Sequence, residues 1–182
     1  MPDSFSPDSL KRIRRLAFAV RALCLLGLLV IGTMPFLFWA QPDWVAHVVL
    51  QQWAIPKIQL DLVSRLGGLA GSLLPASVSV YALCQMWSLF GCFAQGELLA
   101  HQPAGHLRRL GVALSALAFA QPVGRTLSIL ALTWGNPKGE RQLWVGLSSD
   151  HYLSLLFGLL LLALAQVLSE GARLAKENAE FV

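Results

Sequence analysis

Four long apolar runs alternate with short polar segments. The clearest is Leu153–Leu168, LSLLFGLLLLALAQVL, which has no charge and only Ser154 and Gln166 as polar side chains. Leu16–Ala40 is a second, entered through the basic cluster Lys11, Arg12, Arg14 and Arg15, with Arg21 one turn in. A third, Leu66–Gly96, is uncharged throughout. The fourth begins after the pair Arg108-Arg109, meets Gln121-Pro122-Val123-Gly124-Arg125 and runs on apolar to Trp134. Uncharged stretches of this length mark membrane-spanning helices. The pattern predicts an all-α four-helix bundle in one integral membrane domain over 1–182, with spans 16–40, 66–93, 107–133 and 152–168 and a polar helical tail 169–182.

The connectors carry weaker signals. After Ala40, Asp43 is placed to cap a short helix whose Trp44, Val48 and Trp53 share a face. Tryptophan suits the headgroup zone of a bilayer. Ile58-Gln59-Leu60-Asp61-Leu62 alternates with period two, and so does Gln142–Leu147. The two segments, 58–62 and 142–147, can pair as short strands in a small extracytoplasmic cap. Asn136-Pro137-Lys138-Gly139 is a strong turn signal. The third run opens with Gly67, Gly68, Gly71 and Ser72, small residues that let membrane helices approach closely. Ala40-Gln41-Pro42 and Ala120-Gln121-Pro122 repeat one tripeptide after an apolar run, too short a match to establish a duplication.

Composition agrees with lipid as solvent. The chain is 55% hydrophobic and only 13% charged, against about 25% charged in a soluble domain. A cleavable signal peptide has an apolar body of about 7–15 residues. Leu16–Ala40 is longer, and Phe38 stands where a cut after Ala40 would require a small residue. The first run is therefore expected to stay as a span. The net charge of +4 is accounted for by topology and calls for no direct nucleic-acid contact. With the N-terminus inside, the inner segments hold Lys11, Arg12, Arg14, Arg15, Arg21, Arg108, Arg109, Arg173 and Lys176, nine basic residues. The outer loops hold four, Lys57, Arg65, Lys138 and Arg141. The excess predicts both termini in the cytoplasm of a multi-pass membrane protein. Cys24, Cys84 and Cys92 lie in apolar runs and read as small packing residues.

Candidate chemistry is sparse. His47, His101, His106 and His151 fall in loops or at span ends, which leaves no mid-span pair for a haem. His101 and His106 with Glu97 and Cys92 fit no standard metal spacing. There is no GxSxG, HExxH, phosphate-binding lysine loop or CxxC. The expectation is a protein that is not an enzyme and carries no cofactor. Ionisable residues within a membrane are functional by default, and here Arg125 is the candidate. It lies 16 residues beyond Arg109, roughly 24 Å along a helix, a few ångströms inside a hydrocarbon core of about 30 Å. Its head is thus within snorkelling reach of the outer boundary, with Gln121 and the carbonyls freed by Pro122 nearby. At the inner end, Glu97 is expected to pair with a basic side chain, Arg108 or Arg109 being nearest in sequence.

Phe93–Glu97 (FAQGE), Leu107–Gly111 (LRRLG), Gly139–Asp150 (GERQLWVGLSSD) and Leu156–Val182 together carry a resemblance. From Phe90 to Val182 the chain resembles the DUF2975 family of bacterial four-span inner-membrane proteins. It departs from the commoner hydrophobic ending of that family in finishing Glu180-Phe181-Val182. The resemblance implies the fold and a bacterial inner-membrane location. It also implies a signalling role, since many members lie beside a gene for a small helix-turn-helix regulator. The function expected is a membrane component, partnered by the lipid bilayer and a cytoplasmic transcription regulator. The alternative is a small transporter or channel subunit.

Overall fold

The computed structural model describes residues 7–53, 55, 57–96, 101–137 and 141–180. It contains five helices: α1 Pro7–Ala40, α2 Pro42–Gln52, α3 Leu62–Ala94, α4 His101–Thr133 and α5 Ser149–Glu180. Four of them (α1, α3, α4 and α5) are long and apolar enough to cross a membrane. The short α2 lies at one end of the four, called here the α2 end; the basic cluster of α1 lies at the other, the basic end.

Helix boundaries follow local chemistry. Pro42 takes the first position of α2, where a missing N–H is harmless, so Gln41 and not Asp43 is the N-cap. The face that α2 buries is Val45 and Val49 rather than Trp44 and Val48. Pro122, in the same tripeptide context as Pro42, lies inside α4 instead of breaking it. There Thr126 donates its hydroxyl to the Pro122 carbonyl at 2.8 Å. Gly96 ends α3 with φ at 87°, a conformation that favours glycine.

The bundle is open. Helix α1 packs on α3, α3 on α4 and α4 on α5, and among the described residues no Cα of α1 comes within 8 Å of α4 or α5. Small residues set this order, because in lipid close packing rather than a hydrophobic effect drives helices together. A Cβ on Gly71 would lie 2.7–2.9 Å from Ser128 and the Gly124 carbonyl, and one on Gly124 would lie 2.7 Å from the Gly71 carbonyl and Pro75. The Ser128 hydroxyl donates across this seam to the Gly68 carbonyl at 2.9 Å. Gly68 itself faces α1, where the Trp39 ring fills the space of the missing Cβ. The indole N–H of Trp39 donates to the Ser72 hydroxyl at 3.0 Å. On the far side of α4, Gly111 and Ser115 meet Gly158 of α5 in the same way.

The strand pairing expected between 58–62 and 142–147 does not form; among the described residues there is no strand. Each segment binds the end of α4 instead. The Gln59 N–H donates to the Leu132 carbonyl at 2.9 Å, and the Asn136 side chain to the Lys57 carbonyl at 3.0 Å. The Gln142 N–H donates to the Thr133 hydroxyl, and the single Thr126 hydroxyl hydrogen is shared between the Trp144 carbonyl at 2.7 Å and the Pro122 carbonyl at 2.8 Å. The carbonyls and hydroxyls at the end of α4 thus take the bonds that a strand partner would have offered. The alternation in Gln142–Leu147 survives as a difference in exposure: Leu143, Val145 and Leu147 are 72%, 70% and 81% exposed, while Trp144, at 40%, lies against Arg125 of α4.

The glycine seam gives a direct test. Gly71→Ala and Gly124→Ala should each destabilise the purified protein by about 1–3 kcal/mol through overpacking. At Gly32 a Cβ meets nothing within 4 Å, so Gly32→Ala should leave stability unchanged or raise it by up to about 1 kcal/mol. Thermal unfolding in detergent, followed by circular dichroism, checks both.

Candidate functional site

Because no Cα of α1 comes within 8 Å of α4 among the described residues, a cleft is left between α1 and α4, floored by α3. Its volume is about 620 Å³, within the range of roughly 300–1,000 Å³ typical of small-molecule sites. Val30, Met34, Pro35 and Phe38 form the α1 wall, and Gln121, Gly124, Arg125 and Ser128 the α4 wall. Ser72 and Pro75 come from α3, Trp44 and Trp53 from the α2 region, and His151 from the start of α5. Two internal prolines, Pro35 and Pro75, therefore face the same space.

The α2 end of the cleft is built around a packed cluster. Trp39, Val45, Val49, Ile55, Ile129 and Leu132 are buried together, with Phe38, Trp53, Ile58, Leu60 and Leu69 against them. Arg65 ties this cluster to α1. Its Nε donates to the Trp39 carbonyl at 2.7 Å and its Nη2 to the Ala40 carbonyl at 2.6 Å. These carbonyls end α1, where the helix dipole favours a cation.

Arg125 is the one permanent charge among the described residues lining the cleft. Its guanidinium carbon lies 4.1 Å from the ring centroid of Trp144 and 5.4 Å from that of Trp53. Nη2 donates to the Gln52 carbonyl at 3.4 Å, a long contact. Nε is buried without a partner among the described residues. Gly146 allows this arrangement, since a Cβ there would overlap the Trp144 ring. Non-helical backbone is not tolerated in hydrocarbon while it faces lipid, so the extended segment 141–148 belongs at the headgroup level. Arg125, bonded into that level through Trp144, stands at the membrane boundary.

Of the residues singled out from sequence, Gln121 and Arg125 meet one turn apart on α4, on the same cleft wall. Arg108 and Arg109 are exposed near the basic end of α4. Arg108 borders a recess of about 380 Å³ with Leu162, Ala165, Gln166 and Ser169 of α5. Glu97 lies outside the described residues, so its expected ion pair does too. The His106 Nδ1–H donates to the Gln85 side-chain oxygen Oε1 at 2.9 Å, an α3–α4 contact. Among the described residues no three His, Cys, Asp or Glu side chains converge on a metal-sized space. Sequence reading missed Trp144 as the stacking partner of Arg125; its place on the inward phase of the 142–147 alternation was the available signal. It also missed Arg65 as a cap, which no local pattern announces.

Helices and site together define a multi-pass α-helical membrane protein with a lateral cleft ended by one arginine. A family model described as Protein of unknown function (DUF2975) matches residues 40–182, and the chain belongs to this family. The match reaches back beyond Phe90 to the last residue of α1, so it takes in α2, α3 and the α4 wall of the cleft. No curated protein and no solved structure matches the chain.

Thr126→Val removes the bond that holds the Trp144 carbonyl to α4 while keeping side-chain volume. It should cost about 1 kcal/mol of stability and speed amide exchange across 141–148 several-fold. Exchange in α3, measured in the same mass-spectrometric experiment, should not change.

Proposed function

We propose that the chain is a non-enzymatic sensor of the bacterial inner membrane, with both termini in the cytoplasm. It takes a ligand in the α1–α4 cleft and reports occupancy at the basic end to a soluble helix-turn-helix regulator. The observation that carries this reading is the cleft: a site of ligand-binding size holding one partly buried cation. The polar groups around it are suited to holding a molecule. Arg125 and Gln121 offer donors, while the Ser72 and Ser128 hydroxyl hydrogens are already given to the Leu69 and Gly68 carbonyls.

The basic end supplies the surface for a partner. Arg108 and Arg109 are exposed there, and α5 continues about 16 Å past Ser169 to Glu180. Arg173 on that extension pairs with Glu170 at 3.1 Å and Glu177 at 3.7 Å, both exposed. Such pairs contribute about 0–1 kcal/mol; they leave a solvated helix open to a docking protein. The orientation rests on the nine basic residues of the inner segments against four in the outer loops.

Photo-crosslinking in cells from positions between Glu97 and Arg109 should trap a soluble DNA-binding protein. Capture of lipid alone, or of this chain alone, would contradict the reading. Reporters fused at Val182 and between Asn136 and Arg141 should report opposite sides of the membrane.

A further inference from the structure

The cleft changes character along its length. Its α1 wall, from Val30 through Met34 and Pro35 to Phe38, is apolar over about 12 Å. At the α2 end the facing wall carries Arg125. The guanidinium carbon lies over the Trp144 ring, 4.1 Å from its centroid. A guanidinium carries five N–H groups in one plane. Nε is buried and out of reach of a ligand, and the Nη2 contact to Gln52 at 3.4 Å is long, so the terminal Nη1 and Nη2 groups keep donors to offer. A cation with terminal donors left to offer matches a carboxylate, which accepts two parallel hydrogen bonds from the guanidinium fork. The apolar trough beside it matches an alkyl chain.

Entry is from the side. Helix α1 does not close on α4, and Val30 and Met34, which line the cleft, are also 40% and 45% exposed. That flank of a membrane-spanning helix faces acyl chains. The boundary position of Arg125 sets a head group level with lipid headgroups while the tail follows α1 inward.

From this geometry we infer that the cleft binds a single-chain amphipathic anion, a medium-chain carboxylate, drawn from the bilayer leaflet at the α2 end. Its head sits on Arg125 and its tail lies along Val30–Phe38. The inference rests on the cleft being the ligand site proposed above and adds the class of ligand. A volume of about 620 Å³ and a single cation suit one chain and one charge, not a two-chain phospholipid.

The test uses the full chain in phosphatidylcholine nanodiscs and decanoate brominated on its chain, which quenches nearby tryptophan. Trp39, Trp44 and Trp53 line the cleft and serve as reporters. Quenching should saturate, and unlabelled decanoate should relieve it, whereas decanol and decyltrimethylammonium should not. Arg125→Gln should weaken binding roughly tenfold, the loss expected for a hydrogen-bonded charge, and Arg125→Lys should weaken it less. Val30→Phe, which narrows the trough and leaves Arg125 in place, should also weaken it. Equal competition by decanol would overturn the proposal, as would relief of quenching by phosphatidylglycerol placed in the nanodisc. Unchanged binding by a folded Arg125→Gln variant would do the same. If that variant does not fold, unchanged binding by Val30→Phe decides against the proposal. Saturable decanoate binding without capture of a regulator would remove the sensor reading and leave the ligand assignment standing. Capture without decanoate binding would do the reverse.

Discussion

The backbones of α3 and α4 touch at Gly71 and Gly124, and the rest of the arrangement depends on that contact. Neither position can carry a Cβ without meeting a carbonyl oxygen within 3 Å. Around it, α3 shows small residues on two faces: Gly67 and Gly71 to α4, Gly68 and Ser72 to Trp39 of α1. Helix α4 in turn shows Gly111 and Ser115 to α5. In lipid, where apolar side chains gain little by leaving the solvent, such faces decide which helices pair. The order α1, α3, α4, α5 follows from where the small residues lie, and the cleft follows from the order. Helix α1 is held on α3 by Trp39 and capped by Arg65, and among the described residues no Cα of α1 comes within 8 Å of α4.

Two arginine–tryptophan stacks bracket the apolar slab. Arg21 lies 4.1 Å from the Trp87 ring toward the basic end, and Arg125 lies 4.1 Å from Trp144 at the α2 end. A guanidinium over an indole face keeps its charge at the boundary while its stem covers apolar surface. On α4, the distance from Arg109 to Arg125 is about 24 Å, close to the hydrocarbon thickness the helix must cross. The two arginines differ in setting: Arg125 borders a ligand-sized cleft, and Arg21 does not. That difference separates a boundary anchor from a candidate site.

Much of this was legible in the residues. The uncharged run Leu66–Gly96, the proline at Pro42 and the turn signal after Asn136 announce helices and breaks through chemistry local to the chain. The glycines of α3 announce close packing in the same way. What the residues do not carry is partnership across distance. Period two in 58–62 and 142–147 reports an extended segment with two faces. It does not say that α4 rather than the other segment supplies the hydrogen bonds. Arg125 could be placed near the membrane boundary by counting, but the 18 residues between it and Trp144 hide the contact between the two. The cleft is invisible for the same reason, since it is defined by an approach that α1 and α4 do not make.

That missing approach is the centre of the account and can be measured directly. With Cys24, Cys84 and Cys92 replaced by alanine, cysteines placed at Ile31 and Gln121 stand on the α1 and α4 walls of the cleft. A disulfide requires Cα atoms within about 7 Å, and no α1–α4 pair comes within 8 Å. In native membranes the pair should stay reduced under mild oxidation and be joined by a longer bifunctional thiol reagent. Rapid formation of a direct disulfide between positions 31 and 121 would show that α1 closes on α4, and the cleft would not exist.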